Sequence, residues 1–349
     1  MSSYNTNGYV VQRLISAADK QTDKDHAEAD KYLKSFRSVE ENFFEKVHPF
    51  VDVGLAISET QASNVTTPNI FTVHGSRHIS DLIRSLDKLA QAIAEDNKEY
   101  ALTVLEAYVL LCAAHVHDAA NVKERAGHPQ RAKDVLQQYK ELFSSPATIQ
   151  QIYDVARVHG DSHERFGKDT FRDLDADNSS DPRLPLLASL IRLGDELSEN
   201  PERVPDLVNK NHDHSDASKL AHAYAKSFAS FELRKDTLYV VFNIYPMERN
   251  LKLGENPTGC NTFIDYLETK IDVIERESRY CSQYGRPMLN ISKIAVLIRT
   301  FKEELPSAVD GTVKFDLQLT HGYPTANSSL CQRSPQLIER KIAHLSECF

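Results

Sequence analysis

Residues 100–114 read YALTVLEAYVLLCAA, a stretch apolar on nearly every side of a helical wheel. In a soluble chain such a helix must lie at the centre of a core. It runs directly into His115-Val116-His117-Asp118, so the core helix ends in ionisable side chains. Burying a carboxylate costs several kcal/mol unless it is paired or coordinates a metal. A cation at that helix end would remove the penalty. His117 supplies nitrogen and Asp118 oxygen, a mixed set that suits Mn²⁺, Fe²⁺, Zn²⁺ or Mg²⁺. The alternative is a histidine and an aspartate that simply cap a helix C-terminus.

The surrounding pattern is mainly α. Residues 27–47, 78–95, 129–143, 147–159 and 184–197 carry apolar residues at helical spacing, and residues 26–225 read as one helical domain with a core at about 70–205. Up to about residue 25 the chain is polar and is expected to be loosely held. Aromatic and β-branched segments at 228–233 and 237–245 flank Arg234-Lys235-Asp236 and predict a hairpin. With a helix at 261–280 and strands at 293–298 and 312–319, residues 226–320 form a smaller C-terminal α+β domain. Residues 321–349 read as a linker and a short C-terminal helix.

Composition narrows the partners. A net charge of −9 over 349 residues argues against a broad phosphate-binding surface and makes nucleic acid a second choice. No apolar run approaches the roughly 20 residues of a membrane span, and the first residues lack the order of a secretory leader. No membrane partner is therefore expected, and the cytoplasm is the expected compartment. The five cysteines show neither a C-x-x-C pair nor a disulfide framework. Oligomerisation is left open.

Further ionisable residues interrupt apolar helix faces. Leu184, Leu187, Ala188, Ile191 and Asp195 share one stripe, placing a carboxylate where the pattern asks for an apolar group; a salt bridge to Arg192 one turn back is the competing reading. His159 ends the stripe Ile152, Val155, Ala156. His78 opens the helix at 78–95, with His74 one turn earlier, and His128 precedes Pro129 on the face of Ala132, Val135 and Leu136. Each alone has a bland explanation as a hydrogen-bonded core residue. His212-Asp213 repeats the dipeptide inside a polar stretch and reads as solvated.

The set His78, His117-Asp118, Asp195, with the text Arg192-Leu193-Gly194-Asp195-Glu196-Leu197 around the last member, resembles the HD superfamily of metal phosphohydrolases over residues 70–205. Arg125 to His128, His159-Gly160 and Glu202 to Pro205 are similar to a group of bacterial HD proteins with an α+β extension. The resemblance implies an HD-type helical bundle in which His78, His117, Asp118 and Asp195 hold a divalent metal. It also implies hydrolysis of a phosphoester or phosphoanhydride bond by water. Asp118 would accept a hydrogen bond from that water. His128 and His159 would bind a second ion or act as general acids for the leaving oxygen. Gly160 stands where two-metal relatives carry the second histidine of a pair, with His163 or Asp161 as substitutes. Arg77, Lys123, Arg125 and Arg203 lie beside ligand segments and would hold phosphate, or are solvated charges. A small phosphorylated substrate, a nucleotide first, follows from the resemblance. The alternatives are a nuclease on single-stranded nucleic acid and a nucleotide sensor without turnover.

Overall fold

The computed structural model describes residues 8–19, 24–52, 72–123, 127–160, 169–174, 177–204, 215–249, 251, 262–303 and 309–319. The expected linker and C-terminal helix, the control dipeptide His212-Asp213, and Arg125, Asp161 and His163 lie outside these residues. The chain divides into two compact units, one formed by Met1–Asn64, Val73–Ser198 and Tyr284–Asn290, the other by Val65–Thr72, Glu199–Gln283 and Ile291–Phe349.

The first unit is helical: α1 (Tyr9–Ala18), α2 (Lys24–Lys46), α3 (Ser76–Asp96), α4 (Val104–Val116), α5 (His128–Gln138), α6 (Pro146–Arg157) and α7 (Leu184–Glu196). α4 packs against each of the other six, and its residues from Glu106 to Val116 are all buried. That placement explains its lack of a polar face. The helix begins at Val104 rather than in the apolar residues before it because of its cap. Thr103 accepts from the Glu106 backbone N–H, and the Glu106 carboxylate accepts from that of Thr103, satisfying two orphan donors at once.

The expectation of a loose N-terminus is corrected by α1. Val10, Val11, Leu14 and Ala18 form a buried stripe, a pattern too short to outweigh the polar residues around it in sequence. Gly8 at its N-cap offers no side chain, and Asp87 of α3 serves instead, accepting from Val10 N at 2.8 Å. A carboxylate there suits the helix dipole. Burial nevertheless pushes the Asp87 carboxyl up to about 6, against the pull of the Val10 hydrogen bond. Because the folded value lies above the ordinary 3.8, the stabilisation associated with this group is complete below that value and is lost as pH rises through about 6. Compared with Asp87→Asn, the wild type should lose on the order of 1–2 kcal/mol of stability between pH 4 and 7. Urea unfolding at stepped pH checks this, and a pH-independent difference between the two proteins would count against it.

The second unit contains α8 (Asp216–Ser227), β1 (Phe228–Arg234), β2 (Thr237–Ile244), most of α9 (Phe263–Gly285), β3 (Lys293–Phe301) and β4 (Val309–Gln318). The strands lie in the order β1-β2-β3-β4. β1 and β2 form the expected antiparallel hairpin, turning at Lys235 with φ 55°. β2 and β3 run parallel, and β3 and β4 antiparallel. A parallel neighbour needs a crossover connection, and α9 lies within that connection in sequence. Alternate strand residues, among them Leu238, Val240, Phe242, Ile294, Val296, Ile298, Phe315 and Leu317, are buried. The architecture is mainly α with a smaller α+β part. The helical domain read from sequence extended to residue 225, whereas α8 groups with the sheet. Tyr224 makes ring contacts with Phe228 and Phe242 at 6.2 and 6.1 Å. No helix among the described residues is long and apolar enough to cross a membrane.

Candidate metal centre

Three helices of the first unit, and the segments that follow two more, deliver the site. His78 lies in the first turn of α3, His117 caps the C-terminus of α4 with Asp118 next to it, and Asp195 is in the last turn of α7. His78 Nε2 is 3.0 Å from Asp195 Oδ1 and 3.3 Å from His117 Nε2, and His117 Nε2 is 3.9 Å from Asp195 Oδ1. A cation with bonds of about 2.0–2.2 Å holds its ligands roughly 3–4 Å apart, which is the spacing found here.

Asp118 faces two ways. Its Oδ2 is 3.8 Å from His78 Nε2 and 3.5 Å from His117 Nε2. Its Oδ1 is 3.0 Å from His128 Nε2 and 3.6 Å from His159 Nε2, and those two nitrogens lie 3.1 Å apart. Two groups able to hold an ion result, His78, His117 and Asp195 on one side, Asp118, His128 and His159 on the other. One carboxylate bridges them.

The tautomers favour metal. His117 Nδ1 donates to Ala114 O at 2.9 Å, and His159 Nδ1 to Ala156 O at 2.5 Å. Ser198 Oγ donates to Asp195 O at 2.7 Å and therefore accepts from His78 Nδ1 at 3.3 Å. In the neutral rings each Nε2 is then a lone pair aimed at its neighbours and at a carboxylate, which is repulsive unless a cation or a proton sits between them. Burial, opposed only in part by Asp118, lowers the His117 pKa to about 4, keeping its lone pair free. Burial would raise the Asp118 carboxyl, but His117, His128 and His159 outweigh it and hold it well below its ordinary value. Asp195 is lowered in the same way, His78 overcoming the cost of burial. At His159 burial disfavours charge, yet Asp118 outweighs it and the pKa rises. The donor set thus fits one or two divalent cations.

Two close approaches shape the pocket. A Cβ on Gly194 would meet Leu86 Cδ2 at 3.0 Å and Leu82 Cδ1 at 3.2 Å, so its absence lets α7 seat tightly on α3 one residue before Asp195. A Cβ on Gly160 would meet Pro129 Cγ at 2.7 Å. The missing second histidine has its explanation here: the ring of Pro129 occupies the space, and His128 is thereby brought against His159. Gly160→Ala should push these rings apart and weaken binding at the second group by about 10–100-fold. Titration of metal-free protein with Mn²⁺ measures it, and unchanged affinity at both positions would show that Pro129 yields freely.

Other supports were not visible in sequence. Asn121 Nδ2 donates to Asp118 Oδ1 at 2.9 Å, and both it and Ser198 stand one helical turn beyond a ligand, a spacing that could have flagged them. Arg192 does not act as the sequence alternative supposed. Its guanidinium donates to Thr170 Oγ1 at 3.0 Å and to Gly160 O at 3.5 Å, while Thr170 Oγ1 donates to Val158 O at 2.8 Å. The carbonyls on both sides of His159 are thereby held. His159 itself lies two residues beyond α6, which ends at Arg157, instead of on its last turn. His74 contacts the His78 ring at 5.8 Å. Arg77 and Lys123 are exposed beside ligand segments. Arg203 belongs to the second unit, where it is buried and paired with Glu199 at 2.7 Å, a structural ion pair.

A helical unit that gathers His, His-Asp and Asp around a shared carboxylate defines an HD-type domain with two groups able to hold a metal ion. The family model that matches is HD-CE, over residues 68–245, and the chain belongs to this family. No curated protein and no solved structure matches the chain significantly.

Proposed function

We propose that the protein is a cytoplasmic metal-dependent phosphohydrolase that cleaves a phosphoester or phosphoanhydride bond in a small phosphorylated substrate, a nucleotide first. The observation that carries this reading is the pair of His/Asp groups bridged by Asp118. Bound divalent ions lower the pKa of water and polarise phosphoryl oxygens. The chain's part is to hold six donors, the Nε2 lone pairs of His78, His117 and His159 preset by their Nδ1 hydrogen bonds, and, through Asp118, to accept a hydrogen bond from the attacking water. His128 and His159 stand 3.1 Å apart, both on Asp118 Oδ1, a geometry that favours ligation over a general-acid role. It also favours turnover over a binding-only sensor, since both groups are present. Mixed nitrogen and oxygen donors suit Mn²⁺ or Fe²⁺.

The test is release of phosphate from a panel of nucleotides and simple phosphomonoesters, with protein of measured metal content and Mn²⁺ added. Metal-dependent release supports the reading. Digestion of single-stranded DNA in place of nucleotides would replace it with a nuclease, and two bound ions without any hydrolysis would replace it with a sensor.

A further inference from the structure

A short stretch after α2 touches both helices that lead to His78 and His117. Pro49 has no N–H with which to continue the ladder of α2, and residues 48–52 form a further helical turn beyond it. Val47 and Val51 are buried and anchor this turn. Its two polar side chains, His48 and Asp52, reach different helices.

Asp52 reaches the start of α3. Its Oδ1 accepts from the backbone N–H of His74 at 2.6 Å and from that of Gly75 at 3.1 Å. These are the two donors immediately ahead of the helix, where a carboxylate also suits the helix dipole. Gly75, the N-cap, offers no side chain for the task. A Cβ there would meet Asp52 Oδ2 and His48 O, each at 2.7 Å, so a glycine is what lets the turn lie against the helix. His78 follows in the first turn of α3, and its ring lies 5.8 Å from that of His74.

His48 reaches the end of α4. Its Nε2 is 3.0 Å from Nδ1 of His115, two residues before His117. Both rings are buried, and Phe43 and Phe44 flank them at centroid distances of 5.3 to 6.2 Å. Burial first, then the neighbouring His115, His117 and His78, hold the His48 pKa well below its ordinary value, and burial does the same at His115. The contact is therefore one N–H given to one lone pair, a directional bond. His48 Nδ1 has no hydrogen-bond partner among the described residues. A buried nitrogen left unpaired costs stability, so an apolar ring would serve cohesion better, and what the histidine adds is direction.

We propose that His48 and Asp52 are positioning residues of the metal centre, a brace that fixes the start of α3 against the end of α4 and so sets the separation of His78 and His117, whose Nε2 atoms lie 3.3 Å apart. This rests on the reading of His78, His117 and Asp195 as metal ligands and holds whether or not the site hydrolyses a substrate. The brace contacts the elements that carry His78 and His117, whereas His128 lies in α5 and His159 follows α6. Its loss is therefore felt first at the first group.

The experiment is calorimetric titration of the metal-free full-length chain with Mn²⁺, well below the unfolding temperature of every variant. His78→Ala and His159→Ala assign the two binding steps, since each should remove one. Asp52→Ala and His48→Leu should each weaken the first-group step by about 10–100-fold, the scale for groups that orient metal ligands, and change the other step far less. Asp52→Asn and His48→Gln, which keep an acceptor for the two N–H groups and an amide where Nε2 lies, should bind as the wild type does. A lower melting temperature of the metal-free chain with unchanged affinity of the folded protein is the mark of a merely structural role and overturns the proposal, as does equal weakening of both steps. Should a truncated variant fail to fold, Gly75→Ala carries the same test, because its Cβ displaces Asp52 and His48 together without removing either; wild-type affinity there overturns the brace. A wild type that takes up no divalent ion ends the metal reading and the brace with it. A wild type that binds Mn²⁺, with variants that bind equally well, ends the brace alone.

Discussion

Asp118→Ala is expected to strip metal from both groups and to lower phosphate release by about 10²–10⁴-fold or more, the range for losing a positioned catalytic group. Asp118 turns one oxygen to each half: its two oxygens lie 3.5 Å and 3.0 Å from the nearest histidine nitrogens of the first and second groups. Replacing any single histidine removes one donor from one group, and the partner group keeps its set. The helical fold should survive, because Asp118 stands after the last residue of α4 and contributes nothing to that helix's capping box. Metal content by elemental analysis, circular dichroism and phosphate release on the same sample make the check. A variant that keeps two metal equivalents would remove the bridging role.

The second large effect is on stability. Arg183→Ala should destabilise the first unit by about 3–5 kcal/mol, the cost of stranding a buried charge. Glu106 is fully buried, and Arg183 Nε and Nη2 each reach it at 2.6 Å while the Arg183 backbone donates at 2.9 Å. Burial alone would raise the Glu106 carboxyl, but Arg183 overrides it and holds it below its ordinary value. A depressed carboxylate stabilises the fold above its unfolded pKa and loses that contribution as pH falls through the folded one. The gap between wild type and variant should therefore be widest near neutral pH and should narrow as the solution is acidified below about 4.5. A fall in melting temperature of roughly 6–20 °C at neutral pH is the corresponding thermal signature. A fall under a few degrees would show that water reaches Glu106 readily.

This ion pair was not legible in sequence, and the reason is general. Glu106 and Arg183 are 77 residues apart, and although Glu106 interrupts the apolar run 100–114, nothing local points to its partner. Asp195 could be read because a carboxylate on the stripe of Leu187 and Ile191 breaks an expectation that the helix itself sets up. The same logic exposed His78, His117-Asp118 and His128. It placed His159 on a helix that stops two residues earlier, because the stripe Ile152, Val155, Ala156 continues in register past the point where hydrogen bonding ends. Strand alternation from Phe231 to Val240 and the polar turn between them made the hairpin plain. The role of Gly160 needed coordinates: a glycine in sequence reads as a gap in a ligand set, while in space it is the clearance that Pro129 requires. Likewise the cap of α1 is Asp87, a partner 77 residues from Val10.

Helix α4 is both the element on which every other described helix of its unit leans and the element whose C-terminal end leads into two of the candidate ligands. Any ion that binds only the folded chain adds its binding free energy to the folding equilibrium, and an ion held by these groups would do so at the keystone, not at a peripheral loop. Occupancy and cohesion of the unit become one thermodynamic quantity. In a cell short of the cation, a protein built this way would lose lifetime, since the population of opened chains exposed to proteases rises as the ion is withdrawn.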